Sequence, residues 1–308
     1  MNDDPSAPRR EGLFRQLSRL DPSVLVPVAT WMRDRPWTMP SVQWFVFFTI
    51  FPLFLVAWTT LTGSDFRDVA YLYAIYFSMI WGLVIWLFIR PERIGILDVV
   101  RVALFTSITG VFIAAVVYRL PFVAPIVAAT RGPNLLVRVV AYVSVVGLLE
   151  ELVKAIPLLW IFVRNREHGT IREITYLGCV SGFAFGISEA VGYSLFYAQN
   201  VARGDMALGA YMVVQLTRLI TLPLLHAVFS GIAAQFIALG VETPRLRRAL
   251  IVFGVGMAAL THGLYNSFSG TLAGFVIAIL AVLAFIAYVR SVESMRLAIR
   301  AAAEEPDR

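Results

Sequence analysis

Of the 308 residues, 59% belong to the hydrophobic set and only 15% are charged, against roughly 45–50% apolar and about 25% charged in an ordinary soluble domain. A chain of this size cannot cover so much apolar surface with polar groups, which excludes a soluble globular enzyme and makes lipid the solvent. The net charge of +6 is, in such a chain, a topology signal rather than a nucleic-acid footprint, so no nucleic-acid partner is expected.

Residues 1–40 are polar and arginine-rich. Leu13, Phe14, Leu17 and Leu20 fall on one helical face beside Arg9, Arg10, Arg15 and Arg19, the pattern of a short cytoplasmic helix lying on anionic lipids. The segment lacks the layout of a signal peptide. Residues 41–290 hold eight apolar stretches near or above the roughly 20 residues that cross a bilayer as helix, at about 41–62, 69–89, 97–118, 134–163, 174–197, 211–240, 248–268 and 271–289. The last two are joined by a tight link around Ser269 and Gly270, and residues 291–308 form a cytoplasmic tail. With no internal repeat, the chain reads as one all-α, polytopic membrane domain of about eight transmembrane helices.

Charge counting orients it. With both termini in the cytoplasm, 18 of the 26 basic residues face inward, and Arg67, Arg119, Arg131 and Arg203 face outward. Arg101, Arg138, Lys154 (the one lysine) and Arg218 fall within spans. Such an asymmetry is a positive-inside signal that an odd number of spans would spoil.

The ionisable groups deep within spans carry the chemistry. They are Glu150, Glu151 and Lys154 in the fourth span, Glu189 in the fifth, Arg218 and His226 in the sixth and His262 in the seventh; His168 is in a cytoplasmic loop. An isolated charge at mid-bilayer costs at least about 2.5–3.5 kcal/mol, so such residues are paired, functional or both. Glu150, His226 and His262 lie about 14 residues from the cytoplasmic ends and Glu189 about 16. At roughly 1.5 Å per residue, all four sit near one plane.

Spacing within each helix adds faces. Glu150 and Lys154 are i and i+4, and Glu151 reaches Lys154 at i+3. His262 and Asn266 share a face, as do Phe185, Glu189 and Tyr193. Gly182, Gly186 and Gly192 permit close helix approach, and Pro223 should kink the sixth span beside His226. Glu151 with Lys154, and Glu189 with Arg218, are open to a second reading as ion pairs that only fix packing. Cys179, with no basic neighbour to activate it, reads as a small hydrophobe.

The run Glu150-Glu151-Leu152-Val153-Lys154, the stretch Gly182 to Ser194, Leu225-His226 through Gly231, and Thr261-His262 through Asn266 together resemble the PrsW family of bacterial intramembrane proteases. The four motifs cover roughly 140–270, within a four-helix catalytic core at 134–270. That family is similar in turn to the CAAX prenyl endopeptidases and the CPBP (Abi) proteins. Carried over by motif, Glu150 matches the glutamate that activates water, and His262 with Asn266 matches the pair that holds the oxyanion. Those relatives have Phe-x-x-x-His where this chain has Phe185 and Glu189. The resemblance therefore implies that the role of that histidine is split between Glu189 and His226, with Glu151 in the catalytic set and Lys154, Tyr193 and Arg218 supporting it. It further implies a bacterial inner-membrane enzyme making the first cut in a single-span substrate such as an anti-sigma factor.

The residue types suit hydrolysis, which needs a base in reach of water and preorganised oxyanion donors. A metal-free glutamate mechanism is the expectation, since the sequence has no HExxH and no i, i+4 histidine pair. Zinc held by Glu150, Glu189, His226 and His262 is the nearest alternative. A proton-coupled transporter and a non-catalytic membrane scaffold are the others.

Overall fold

The computed structural model describes residues 12–21, 25–26, 28–39, parts of 42–50, 70–164 and 169–304. Within these it is built of helices: α1 (Leu13–Ser18), α2 (Val28–Asp34), α3 (Ala70–Ile89), α4 (Ile96–Val117), α5 (Ala124–Ala129), α6 (135–164), α7 (Ile171–Ala202), α8 (Leu208–Glu242), α9 (Arg247–Phe268), α10 (Leu272–Arg290) and α11 (Val292–Glu304). No strand occurs among the described residues. Helices α4, α8, α9 and α10 are long and apolar enough to cross a membrane, so the chain is a multi-pass membrane protein. Helices α3, α6 and α7 occupy the expected second, fourth and fifth stretches. The first stretch, 41–62, and His168 lie largely or wholly outside the described residues.

Helix α8 is the axis of the bundle, and every residue from Leu222 to Gly240 is buried. Helices α3, α6, α7, α9 and α10 pack around it. It remains a single helix through Pro223. The seam between α7 and α8 is set by small residues, as the sequence suggests. A Cβ at Gly182 would fall inside contact distance of the His226 carbonyl, and one at Gly186 would meet Pro223. Backbone therefore lies against backbone where His226 projects. The lipid-facing side is equally plain on α4, where Leu97, Val100, Leu104, Ile108, Phe112 and Val116 form an exposed apolar stripe.

Two helices depart from regular α geometry near the ionisable residues. Helix α4 widens into a π-helical stretch at Phe105–Gly110, and α6 does so at Tyr142–Gly147, directly before Glu150, and again at Leu159–Arg164. Such i→i+5 turns shift the register of the side chains that follow and recur at functional sites.

The arginine-rich end is closed by local polar chemistry. Thr170-Ile171-Arg172-Glu173 forms a reciprocal cap on α7: Glu173 N–H donates to Thr170 Oγ1 (3.2 Å) and Thr170 N–H donates to Glu173 Oε2 (2.8 Å), satisfying donors that a helix start leaves open. Glu173 Oε1 also accepts from the Arg93 backbone N–H at 2.9 Å, tying the α3–α4 loop to α7.

Both terminal segments differ from the sequence expectation. Leu13 and Leu17 pack on the main core, Leu20 is buried, and only Phe14 stands out, 88% exposed. The apolar face of α1 is thus spent on the protein, against α9. Residues 292–304, expected as tail, form a docked helix that buries Val292, Met295, Ile299 and Ala303. Glu242 accepts from Arg296 Nε (2.7 Å) and Arg300 Nη2 (2.8 Å). Its hydrogen bond raises the Arg296 pKa above the ordinary value. Trp31 Nε1 donates to Ser291 Oγ at 3.2 Å. The segments before residue 41 and after Arg290 therefore touch through Trp31 and Ser291.

Replacing Gly182 with valine should force α7 off α8, because the obstructing atoms are backbone. Overpacking of this kind costs roughly 1–3 kcal/mol or more. Thermal unfolding in detergent should show a clearly lower midpoint for Gly182→Val, whereas Gly256→Ala, with open space around it, should leave the midpoint almost unchanged.

Candidate active site

Helices α6, α7, α8 and α9 bring Glu150, Glu151, Lys154, Glu189, His226 and His262 together at one level. The two adjacent glutamates are not equivalent. Glu151 is fully buried and fully engaged: Oε1 accepts from Lys154 Nζ (2.7 Å) and lies 2.9 Å from His262 Nδ1, while Oε2 accepts from Ser230 Oγ (3.0 Å). A carboxylate on an imidazole Nδ1 holds that nitrogen's proton and leaves Nε2 as a bare lone pair.

Glu150 has one oxygen in use. Its Oε1 accepts from the Tyr118 hydroxyl at 2.7 Å, and its buried Oε2 has no hydrogen-bond donor. That free oxygen lies 3.8 Å from His262 Nε2 and 3.8 Å from Lys154 Nζ. A buried carboxylate oxygen without a donor is expensive, which makes Oε2 the unsatisfied position of the cluster.

Lys154 joins the groups. Besides its bond to Glu151, Nζ lies 2.6 Å from His226 Nδ1 and 4.7 Å above the Phe185 ring. On its other side, His226 Nε2 approaches Glu189 Oε2 to 2.8 Å without hydrogen-bond alignment, since that oxygen is left with no donor. The Glu189 side chain is 23% exposed, against 5% or less for Glu150, Glu151, Lys154, His226 and His262. The cluster therefore opens on the Glu189 side. Aromatic rings fix the imidazoles: Phe229 stacks on His262 with centroids 5.0 Å apart, Phe185 lies 5.5 Å from His226, and the two imidazoles meet edge to face at 4.9 Å.

Three sequence-predicted residues stand apart from this core. Arg218 forms no ion pair with Glu189; its guanidinium stacks 3.7 Å over the Tyr193 ring, which replaces the expected Glu189–Arg218 packing pair with a cation–π contact. Tyr193 thus belongs to Arg218 rather than to the Glu/His cluster. Asn266 is half-buried one turn beyond His262 and makes no hydrogen bond to the cluster among the described residues. Cys179 is buried in the main apolar core, as a small hydrophobe should be.

Tyr118 and Ser230 are what sequence reasoning missed. Ser230 stood in a quoted motif without a role, and one turn separates it from His226. Tyr118 gives no signal, because a tyrosine at the end of an apolar span reads as an interfacial anchor. Only the packing of α4 beside α6 brings it to Glu150.

Glu150, His226 and His262 each offer one ligand atom, and the three atoms lie within 4.8 Å of one another. Borderline carboxylate and imidazole donors, the unpartnered Oε2 and the bare Nε2 of His262 fit a divalent cation such as zinc with an open position. The model of the PrsW family of intramembrane metalloproteases matches residues 98–292. The chain belongs to this family of membrane-embedded proteases, and the four motifs that resembled it lie within the match. No curated protein and no solved structure matches the chain.

Removing Lys154 while leaving Glu151 in place should strand a buried carboxylate, a loss of about 3–5 kcal/mol. Equilibrium unfolding in micelles should register that loss for Lys154→Met and little change for Glu150→Gln, whose altered oxygen carries no hydrogen bond.

Proposed function

We propose that this chain is an intramembrane endopeptidase that cuts membrane-anchored, single-span protein substrates, with Glu150 as its reacting carboxylate. The observation that carries the reading is the free Glu150 Oε2, buried in the membrane and faced by His262 Nε2. In this role Glu150 takes a proton from water as the oxygen adds to the peptide carbonyl carbon. It returns that proton to the amide nitrogen as the C–N bond breaks. Glu151 keeps His262 oriented, and Lys154 keeps Glu151 ionised and in place. His226 Nε2 and Asn266 supply hydrogen bonds to the developing oxyanion; the resemblance pairs Asn266 with His262 instead, but the Nε2 of His262, bare behind the Glu151 contact, has no proton to donate.

A transmembrane segment must unwind to be cut, and the polar groups near Glu189 supply partners for its freed backbone. Two facts favour cleavage in the outer half of the membrane. His262 lies six residues from the end of α9, and Tyr118 directly follows α4. With the positive-inside orientation, both ends face away from the cytoplasm. That suits the first cut in an anti-sigma factor in a bacterial inner membrane.

A second reading has its own observation. The convergence of Glu150, His226 and His262, together with the Glu151 carboxylate behind His262, is the layout of a metal site with its outer support. Those three residues would hold the cation, which when bound supplies Lewis acidity and a water of lowered pKa. Glu189 would then be the carboxylate left to accept the water's proton. Chelation separates the readings: loss of bound metal and of activity together selects the metal site, and full activity after complete metal removal selects Glu150 alone.

Cells producing the native chain or Glu150→Gln at matched levels, compared for new N-termini in their membrane fractions, test the function itself. Termini in or beside single-span segments should appear only with the native chain. An identical set with both proteins folded and abundant, repeated under envelope stress, would remove the protease reading in favour of a transporter or scaffold.

A further inference from the structure

We infer that Tyr118 is a positioning residue for the reaction, and that α4 is thereby a fifth helix of the hydrolytic core. The inference rests on Glu150 being the reacting carboxylate. Its basis is the asymmetry of that group: the Tyr118 hydroxyl donates to Oε1 at 2.7 Å, and Oε2 has no donor. A carboxylate with neither oxygen held can rotate about its terminal torsion, which is broad and roughly two-fold. It can then turn either oxygen toward Lys154, whose Nζ stands only 3.8 Å away. Captured there, Glu150 would become a second copy of Glu151: paired, satisfied and unreactive. The bond from Tyr118 occupies Oε1 and holds Oε2 at 3.8 Å from both Lys154 Nζ and His262 Nε2, short of a hydrogen bond to either.

The phenol is held firmly enough to do this. Tyr118 packs in a small cluster with Ala114, Val153 and Phe185, beside Val111 and Leu149. The Val153 side chain comes so close to Gly110 that a Cβ there would strike it. Deeper in the same interface, Thr106 Oγ1 and Ser181 Oγ lie 2.8 Å apart, and Ser181 Oγ donates to the Lys154 carbonyl at 2.9 Å. Helix α4 is thus locked to both helices that carry the glutamates, although most of its surface faces lipid.

The test uses the full-length chain purified in detergent with a cleavable transmembrane peptide. Tyr118→Phe removes one oxygen and keeps the ring that fills the space. It should lower kcat by about 10-fold or more, as loss of a supporting hydrogen bond does, with KM within about twofold and an unchanged melting midpoint. Phe112→Ala, on the exposed stripe of the same helix, should keep native kcat. An infrared carboxyl band assigned to Glu150 by its loss in Glu150→Gln should shift in Tyr118→Phe, a readout that a filler of space would not move.

Native kcat with an unshifted band in Tyr118→Phe overturns the inference. So does a kcat loss matched by an equal loss in Phe112→Ala. If Glu150→Gln is fully active, the reading of Glu150 fails instead, whatever Tyr118 does. An inactive Glu150→Gln beside a native-like Tyr118→Phe removes the Tyr118 role alone.

Discussion

The buried contact between Lys154 and Glu151 is what the rest of the site is arranged around. Two unit charges cannot leave water for the middle of a helical bundle unless their attraction is supplemented by hydrogen bonds that fill the remaining positions. Here Ser230 and His262 complete Glu151, and His226 and the face of Phe185 complete Lys154. These partners come from three other helices, Phe185 from α7, His226 and Ser230 from α8 and His262 from α9, so the ion pair can be satisfied only if α6, α7, α8 and α9 are all in place. The stability of the pair and the assembly of the site are one requirement.

That requirement explains features of the backbone that would otherwise look incidental. The close seam of α7 on α8 at Gly182 and Gly186 brings His226 within reach of Glu189. The π-helical stretch before Glu150 resets the register of α6, and the opposing one in α4 lies where that helix meets α6 and α7. Irregular helix is tolerated in a membrane where it is packed against protein. The lipid-facing stripe of α4 shows the same helix serving two solvents, hydrocarbon on one side and a polar cluster on the other.

Glu151 has its hydrogen-bonding positions filled, whereas its neighbour Glu150 keeps one oxygen without a donor. Adjacent residues on a helix point about 100° apart, so one glutamate can complete a buried network while the next is left with an unpaired oxygen. Neither could do both, because an oxygen that accepts two strong donors has no remaining basicity to offer. The imidazoles divide in the same way: His262 has its Nδ1 committed to a carboxylate, and His226 has its Nδ1 against an ammonium. The four groups thus differ in role although they sit at one depth.

Much of this was legible in the chain alone. Composition set the solvent, apolar runs set the helices, and charges within those runs set which residues share a level, since depth along a helix follows from counting residues. The motifs identified the family before any coordinates. What the chain could not determine was contact between helices, because helical spacing fixes height and face within one helix but leaves rotation and neighbours free. Tertiary packing therefore decided that Glu151 is the fully hydrogen-bonded glutamate, that Arg218 stacks on Tyr193 rather than pairing with Glu189, and that the terminal segments dock on the protein. It also decided that a tyrosine at the end of a lipid-facing helix completes Glu150.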